Sequence, residues 1–336
     1  MRALRIWIAT GLLLAMPAFY VAAQNGSSIN GPSLGFVTND KGTTIWPLLG
    51  ILGAAVPGQP LELSESVRDA AISPQQDYAL ATSMATGQPI IIRLDAADTP
   101  SAPLAGSRLH SALIAISPTG SGAALYDKSA RVLQLVSGLP ASPQIVYELD
   151  ISGLDGDMQD LAVSDNAGVA LVVVGNESRT LWTIQGNGSL SSVNAIRPSR
   201  LAFIANRTDA LIADDATQEV FLLQNLDQAP VRMPGIVMRD VDRQFSAISA
   251  SRDGRSLYVA QDGSENISII DLQTRETTVL SCHCRPTVFS PLRGTSVFRL
   301  NGISNGPITV LDASTSSPRT LFIPIDPNVL ADYRER

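Results

Sequence analysis

"SRDGRSLYVAQDGSENISIIDLQTRETTVL", residues 251 to 280, is built from short apolar runs broken by turn residues. With the preceding "SAIS" (246–249) it holds four runs: SAIS, then SLYVA (256–260), ISIIDLQT (267–274) and ETTVL (276–280). The runs are rich in β-branched residues, and Asp253-Gly254 and Asp262-Gly263 punctuate them. Such runs with Gly, Asp and Asn between them are strand and hairpin signals. The passage therefore reads as four antiparallel strands in about 35 residues, and amphipathic helices are absent from the rest of the chain.

The unit recurs. Its first run returns as Ala70-Ala71-Ile72-Ser73, Ile114-Ala115-Ile116-Ser117, Leu161-Ala162-Val163-Ser164, Leu201-Ala202-Phe203-Ile204 and Val288-Phe289-Ser290. With Ser249 in the quoted unit, the anchors at 73, 117, 164, 204, 249 and 290 are spaced 44, 47, 40, 45 and 41 residues apart. Four-stranded units at this period are the signature of propeller blades, which cover each other's faces when packed around an axis. The third run ends in aspartate 22 residues past its anchor at Asp95, Asp271 and Asp312, where a carboxylate can hold the following turn. Residues 34 to 63 read as a unit lacking its first strand. The expectation is an all-β, seven-bladed β-propeller of four-stranded antiparallel blades over 34–325. Six blades and an irregular N-terminal cap are the alternative, and ring closure is left open.

Residues 251–280 closely resemble a blade of the bacterial YVTN-type repeats, a WD40-like propeller family of exported proteins. The likeness is good over this unit and degenerates in the others, and the Gly-His and Trp-Asp pairs of WD40 blades are missing. The layout also resembles a group of secreted bacterial propeller proteins. The resemblance implies a propeller and export, and no particular reaction.

Arg2 and Arg5, the apolar run Ile6–Phe19 and the small residues Ala22-Ala23 form the three-part pattern of a signal peptide over 1–23. An uncleaved anchor is the alternative. Residues 24–33 read as a flexible segment and 326–336 as a tail, and the expected location is secreted or periplasmic. The net charge of −7 gives no footprint for nucleic acid or an anionic membrane. Two cysteines in an exported chain leave stability to a buried core, and a monomer is expected.

Nucleophile elbows, H-E-x-x-H, C-x-x-C and phosphate loops are missing. Chemistry is sought instead at the channel mouth. Seven residues before the anchors stand Ser66, His110, Asp157, Arg197, Asp242 and His283; four before stand Asp69, Leu113, Asp160, Arg200, Phe245 and Pro286. On this count both histidines share one repeat position. The polar members (Asp69, His110, Asp157, Asp160, Arg197, Arg200, Asp242 and His283) form a candidate ligand ring, joined on that face by the Asp214-Asp215 pair. Polar residues that merely hydrate the mouth are the plainer explanation. Asp155, Asp157 and Asp160 on a Gly-containing loop offer oxygen ligands to calcium or another divalent metal, although no cofactor is expected. Cys282-His283-Cys284 reads as a small disulfide, with a metal clip or a redox pair as alternatives. The expected function is a binding or protein-interaction scaffold for an unknown protein or small polar ligand, without catalytic residues. The rival is a lactonase-like or other hydrolytic enzyme at the channel mouth, one form of which has a metal held by His110, His283 and nearby aspartates.

Overall fold

The structure, a computed structural model, describes residues 31–96, 99–108, 110–238, 243–303 and 306–325. The signal segment, the tail and Asp242 lie outside the described residues. Seven antiparallel sheets follow one another along the chain. Blade 1 holds β1 (Ser33–Thr38), β2 (Ile45–Leu49) and β3 (Val56–Pro57); blade 2 holds β4 (Val67–Ile72), β5 (Tyr78–Ser83), β6 (Pro89–Arg93) and β7 (Ser101–Pro103). Blade 3 runs through β8 (Ser111–Ile116), β9 (Gly122–Asp127), β10 (Val132–Ser137) and β11 (Gln144–Asp150), and blade 4 through β12 (Met158–Val163), β13 (Val169–Gly175), β14 (Arg179–Gln185) and β15 (Leu190–Val193). Blade 5 has β16 (Pro198–Phe203), β17 (Ala210–Asp214), β18 (Glu219–Gln224), β19 (Val231–Arg232) and β20 (Ile236–Val237). Blade 6 has β21 (Phe245–Ala250), β22 (Ser256–Gln261), β23 (Asn266–Asp271) and β24 (Thr277–Ser281), and blade 7 has β25 (Ser290–Pro291), β26 (Val297–Arg299), β27 (Ile308–Asp312) and β28 (Arg319–Ile323). Both β19 and β20 pair antiparallel with β18, so they are two halves of one outer strand interrupted by a bulge. The architecture is a seven-bladed β-propeller.

Burial explains the sequence texture of each blade. Second strands are covered on both faces, and β5, β9 and β13 are buried along their whole length. They accordingly read as unbroken apolar or small-residue runs. The outer strand β11 alternates exposed and half-buried residues, as a strand with one solvated face must. Seven apolar clusters fill the seven inter-blade spaces, from Leu161 and Tyr126 between blades 3 and 4 to Leu292 and Trp46 between blades 7 and 1.

The repeated serine has a structural task. Buried Ser117, Ser164 and Ser251 each turn a hydroxyl to the N–H five residues on, at 2.9–3.0 Å, and so lock the turn from first to second strand. This bonding corrects the repeat register. The backbone N–H that closes the turn onto residue i+5 belongs to Ser73, Ser117, Ser164, Ile204, Ser251 and Leu292. The strand pairs Ala71↔Leu80, Ala115↔Ala124, Ala162↔Leu171, Ala202↔Leu211, Ser249↔Tyr258 and Ser290↔Arg299 fall at matching offsets from those six. Ser249 and Ser290 are thus two residues early as anchors. A shift of two leaves every side chain on its original face, so the apolar pattern is blind to it. The aspartate expectation divides similarly. Asp271 and Asp312 accept from the N–H groups of the following turn, whereas Asp95 pairs with Arg93.

Blade 1 does lack an inner strand among the described residues. Its β1–β2 loop gives the Lys41 and Gly42 carbonyls to the N–H groups of Asp69 and Ala70. In blade 2 the loop between second and third strands does this for blade 3, with Gly87 accepting from His110. β1 is therefore a second strand to whose inner edge no strand among the described residues pairs. That edge is covered by other means. The buried Gln76 side chain accepts from Phe36 N–H and donates to Pro291 O at 2.6 Å. Arg293 N–H donates to Leu34 O at 2.8 Å, and Arg299 Nη1 to Thr38 O at 3.0 Å. The ring closes through these bonds and the blade 7–blade 1 apolar cluster.

Replacing Gln76 by Leu orphans Phe36 N–H and Pro291 O. At about 1–3 kcal/mol for each buried unsatisfied group, the variant should lose roughly 2–5 kcal/mol in urea unfolding. A loss below about 0.5 kcal/mol would show that the ring closes without this residue.

Candidate functional site

On one face of the ring the approaches to the inner strands meet the loops between second and third strands. The N–H groups of Met84, Gly175, Asp215 and Asp262 donate to Ser66, Asp157, Arg197 and Gln244 O, at 2.8–3.0 Å. Gln244, not Asp242, therefore holds this repeat position in blade 6. The register correction likewise puts Ala247 and Val288 where Phe245 and Pro286 were expected, and Arg285 where His283 was expected. The two histidines do not share a repeat position. His110 lies in the connector from blade 2 to blade 3 at φ 67°, its ring against Gly87. His283 sits on the blade 6–blade 7 connector at φ 49° and is exposed.

Most of the other candidates are committed to holding blades together. Asp157 is exposed and lies 3.6 Å from Lys128 Nζ; Asp155 is exposed on the same loop. Asp214 caps its turn, accepting from the N–H groups of Ile196, Arg197 and Ala216 at 2.7–3.1 Å. Asp215 ties three blades, accepting from Ser199 Oγ and Phe245 N–H while lying 3.5 Å from Arg179 Nη1. Arg200 donates through Nε to Ser246 O at 2.8 Å, and Ser246 Oγ passes the link to Pro286 O. Arg197 is half-buried at the start of the blade 5 inner strand. Among the described residues no group of three or more His, Cys, Asp or Glu converges as a metal site.

Asp160 is half-buried near the start of the blade 4 inner strand. Its Oδ1 accepts from Leu161 N–H at 3.0 Å and its Oδ2 from Leu201 N–H in the next blade at 2.8 Å. Desolvation pushes its pKa up to about 6, against the opposing pull of Arg200 and the two N–H donors.

The channel itself is a cavity of about 460 Å³ with apolar walls, including Ile72, Ile116, Val163 and Phe203. At its mouth beside blade 1 lies a second cavity of about 420 Å³, lined by Asp40, Lys41, Asp69, Thr287 and Arg299 among others. Asp69, in the left-handed region at φ 56°, turns its Oδ2 to within 3.3 Å of Arg68 Nη1. Arg299 borders both cavities. Burial lowers its guanidinium pKa, and Asp40 pulls the other way. Sequence reading singled out Asp69 here and missed Arg299, Asp40 and Lys41. Arg299 carried a signal nevertheless, as the one charged residue in the run Val297–Leu300.

Cys282 and Cys284 are bonded, with Cα atoms 5.1 Å apart. Both pack into the apolar cluster shared by blades 6 and 7, and Cys282 is fully buried. The bridge pins the end of β24 to the core and leaves the His283 imidazole outside.

No protein-family model matches the sequence, and no curated protein is similar to it. Solved structures do resemble the fold. A functionally unknown protein from Desulfotomaculum acetoxidans superposes with a TM-score of 0.56 at 14% identity, over 87% of this chain and 100% of that one. A protein from Lactobacillus plantarum gives 0.59 at 13% identity, over 87% and 96%. The β-propeller domain of Myceliophteria thermophila Cps50 (Swd1) gives 0.54 at 11%, over 83% and 96%. At these identities the likeness establishes a shared propeller fold alone.

Two measurements follow. Between about pH 4 and 6 the folded chain keeps an Asp160 proton that the unfolded chain has released. That stabilisation is present at acid pH and is lost as pH rises through 6. The unfolding free energy of Asp160→Asn minus that of wild type should therefore rise by up to about 1.4 kcal/mol per pH unit between about pH 4 and 6 and level off on either side of that window. A flat difference would refute the raised pKa. A thiol assay in denaturant should find no reactive thiol before reduction and two after; two before reduction would exclude the bridge.

Proposed function

We propose that this propeller is an exported binding scaffold that takes a small polar ligand or partner group at the channel mouth. The carrying observation is the 420 Å³ cavity beside blade 1, which Asp40, Lys41, Asp69 and Arg299 line at the channel mouth. Elsewhere on this face Asp160, Arg200 and Asp215 are spent on inter-blade bonds, whereas in this cavity charged groups border open space. Concave sites with a few convergent polar groups are the usual form of a ligand pocket. Export rests on the arginines and the apolar run of residues 1–23. A monomer is in keeping with a ring whose sheets are covered by one another.

One form of the hydrolytic alternative has a metal held by His110, His283 and nearby aspartates. With the histidines on connectors of non-adjacent blades and at unlike repeat positions, it has no geometric support among the described residues.

Thr287 is exposed at the cavity rim, so Thr287→Trp should fill the mouth without disturbing the core. Native mass spectrometry and elemental analysis of the purified mature protein should show a bound small molecule in wild type that the Trp variant lacks. Stoichiometric metal in wild type would favour the hydrolase instead. Retention of the same ligand by the Trp variant would place binding elsewhere.

A further inference from the structure

Arg299 breaks a rule that the other full blades keep. Its position on the second strand, seven past the turn-closing residue, is Leu80, Ala124, Leu171, Leu211 and Tyr258 in blades 2 to 6. All five are buried, each in the apolar cluster shared with the following blade. In blade 7 the same position points toward blade 1, where the described residues place no inner strand to pack against. A guanidinium stands there instead. Its Nη1 bonds Thr38 O at 3.0 Å, while its Nε is shut from solvent without a hydrogen-bond partner. Capping Thr38 O takes one of five N–H donors, and an unmet buried donor is costly. A side chain held only to cap a strand edge would not have to border two cavities.

We propose that the mouth cavity binds a small monocarboxylate, held by Arg299 with Lys41 at the rim. This rests on the reading of the mouth as the ligand site and names its chemical class. The guanidinium fork matches a carboxylate, and in a partly desolvated wall such a pair is stronger than in water. The charge balance selects a monoanion. Arg68, Lys41 and Arg299 supply three positive charges at the cavity and its edge, and Asp40 and Asp69 two negative ones. The resulting single positive charge suits one carboxylate, whereas a phosphate dianion would meet both aspartates. Gly302 opposite Asp40 has no side chain, and a Cβ there would lie 2.3 Å from Asp40 Oδ1. The aspartate can therefore lie back against that wall.

The test is calorimetric titration of the mature protein at pH 7 with butyrate and benzoate, their amides butyramide and benzamide, and inorganic phosphate. Each acid should bind at least tenfold more tightly than its amide, and phosphate more weakly than either acid. Arg299→Leu, which restores the residue type of blades 2, 4 and 5, should abolish acid binding while keeping the β circular dichroism of the wild type. If that variant does not fold, exposed Lys41→Glu takes its place: acid affinity should fall severalfold at an unchanged Tm. Equal affinity for acids and amides, both lost in Thr287→Trp, would overturn the carboxylate assignment and leave the mouth as a ligand site. No saturable binding of acids or amides would reject both. Acid binding that survives Arg299→Leu, or that tolerates Lys41→Glu unchanged, would also overturn the assignment.

Discussion

A blade of four short strands has two apolar faces and no means of covering either. Every property of this molecule follows from that constraint. Each face is buried only when a neighbour lies on it, so the sheets must form a complete ring. Six of the seven interfaces repeat one solution, with second strands buried on both sides and side chains interdigitating across the gap. The seventh, between blades 7 and 1, cannot, because the described part of blade 1 begins with its second strand. There Gln76, reaching across from blade 2, supplies donor and acceptor to two blades at once, and Arg293 and Arg299 satisfy the carbonyls of β1.

The interface that departs from the repeat is also bordered by a cavity of about 420 Å³ at the channel mouth. In the regular blades, channel-mouth polarity serves cohesion: Asp160 reaches blade 5, Arg200 reaches blade 6, Ser246 reaches blade 7. Each of these side chains gives a partner to a backbone group of the next blade or of the connector leading to it. Beside blade 1 the repeat gives way, two cavities meet, and a cation occupies an apolar position. The mouth cavity and the unusual closure both lie where the described residues of blade 1 supply no inner strand.

How far the sequence could be read depended on which interactions leave a periodic trace. Blade number, blade boundaries and the incomplete first unit were legible, because each strand must present an alternating or continuous apolar face and each turn needs Gly, Asp or Asn. The anchor serines were visible too, since one buried hydroxyl does the same job in several blades. The slip at Ser249 and Ser290 escaped notice because Ser251 lies two residues beyond Ser249 on the same face, and because Ser290-Pro291 copies Ser73-Pro74 while Leu292 closes the turn. That slip moved His283 and Asp242 onto the candidate ring. Asp69, Asp157 and Asp160 were placed on the right face, but nothing in their spacing distinguishes a carboxylate that accepts a neighbour's N–H from one that awaits a ligand.

By itself, then, the sequence determined the kind of sheet, the period of the units and their order along the chain, with seven blades expected over six, because these rest on local strand and turn preferences repeated along the chain. Only the tertiary structure decided which residue of each unit faces the axis, how the first and last blades meet, and that Gln76 and Arg299 take the place of a strand. Those outcomes join residues as far apart as Gln76 and Pro291, or Thr38 and Arg299, and contacts made once between distant parts of a chain have no period to reveal them.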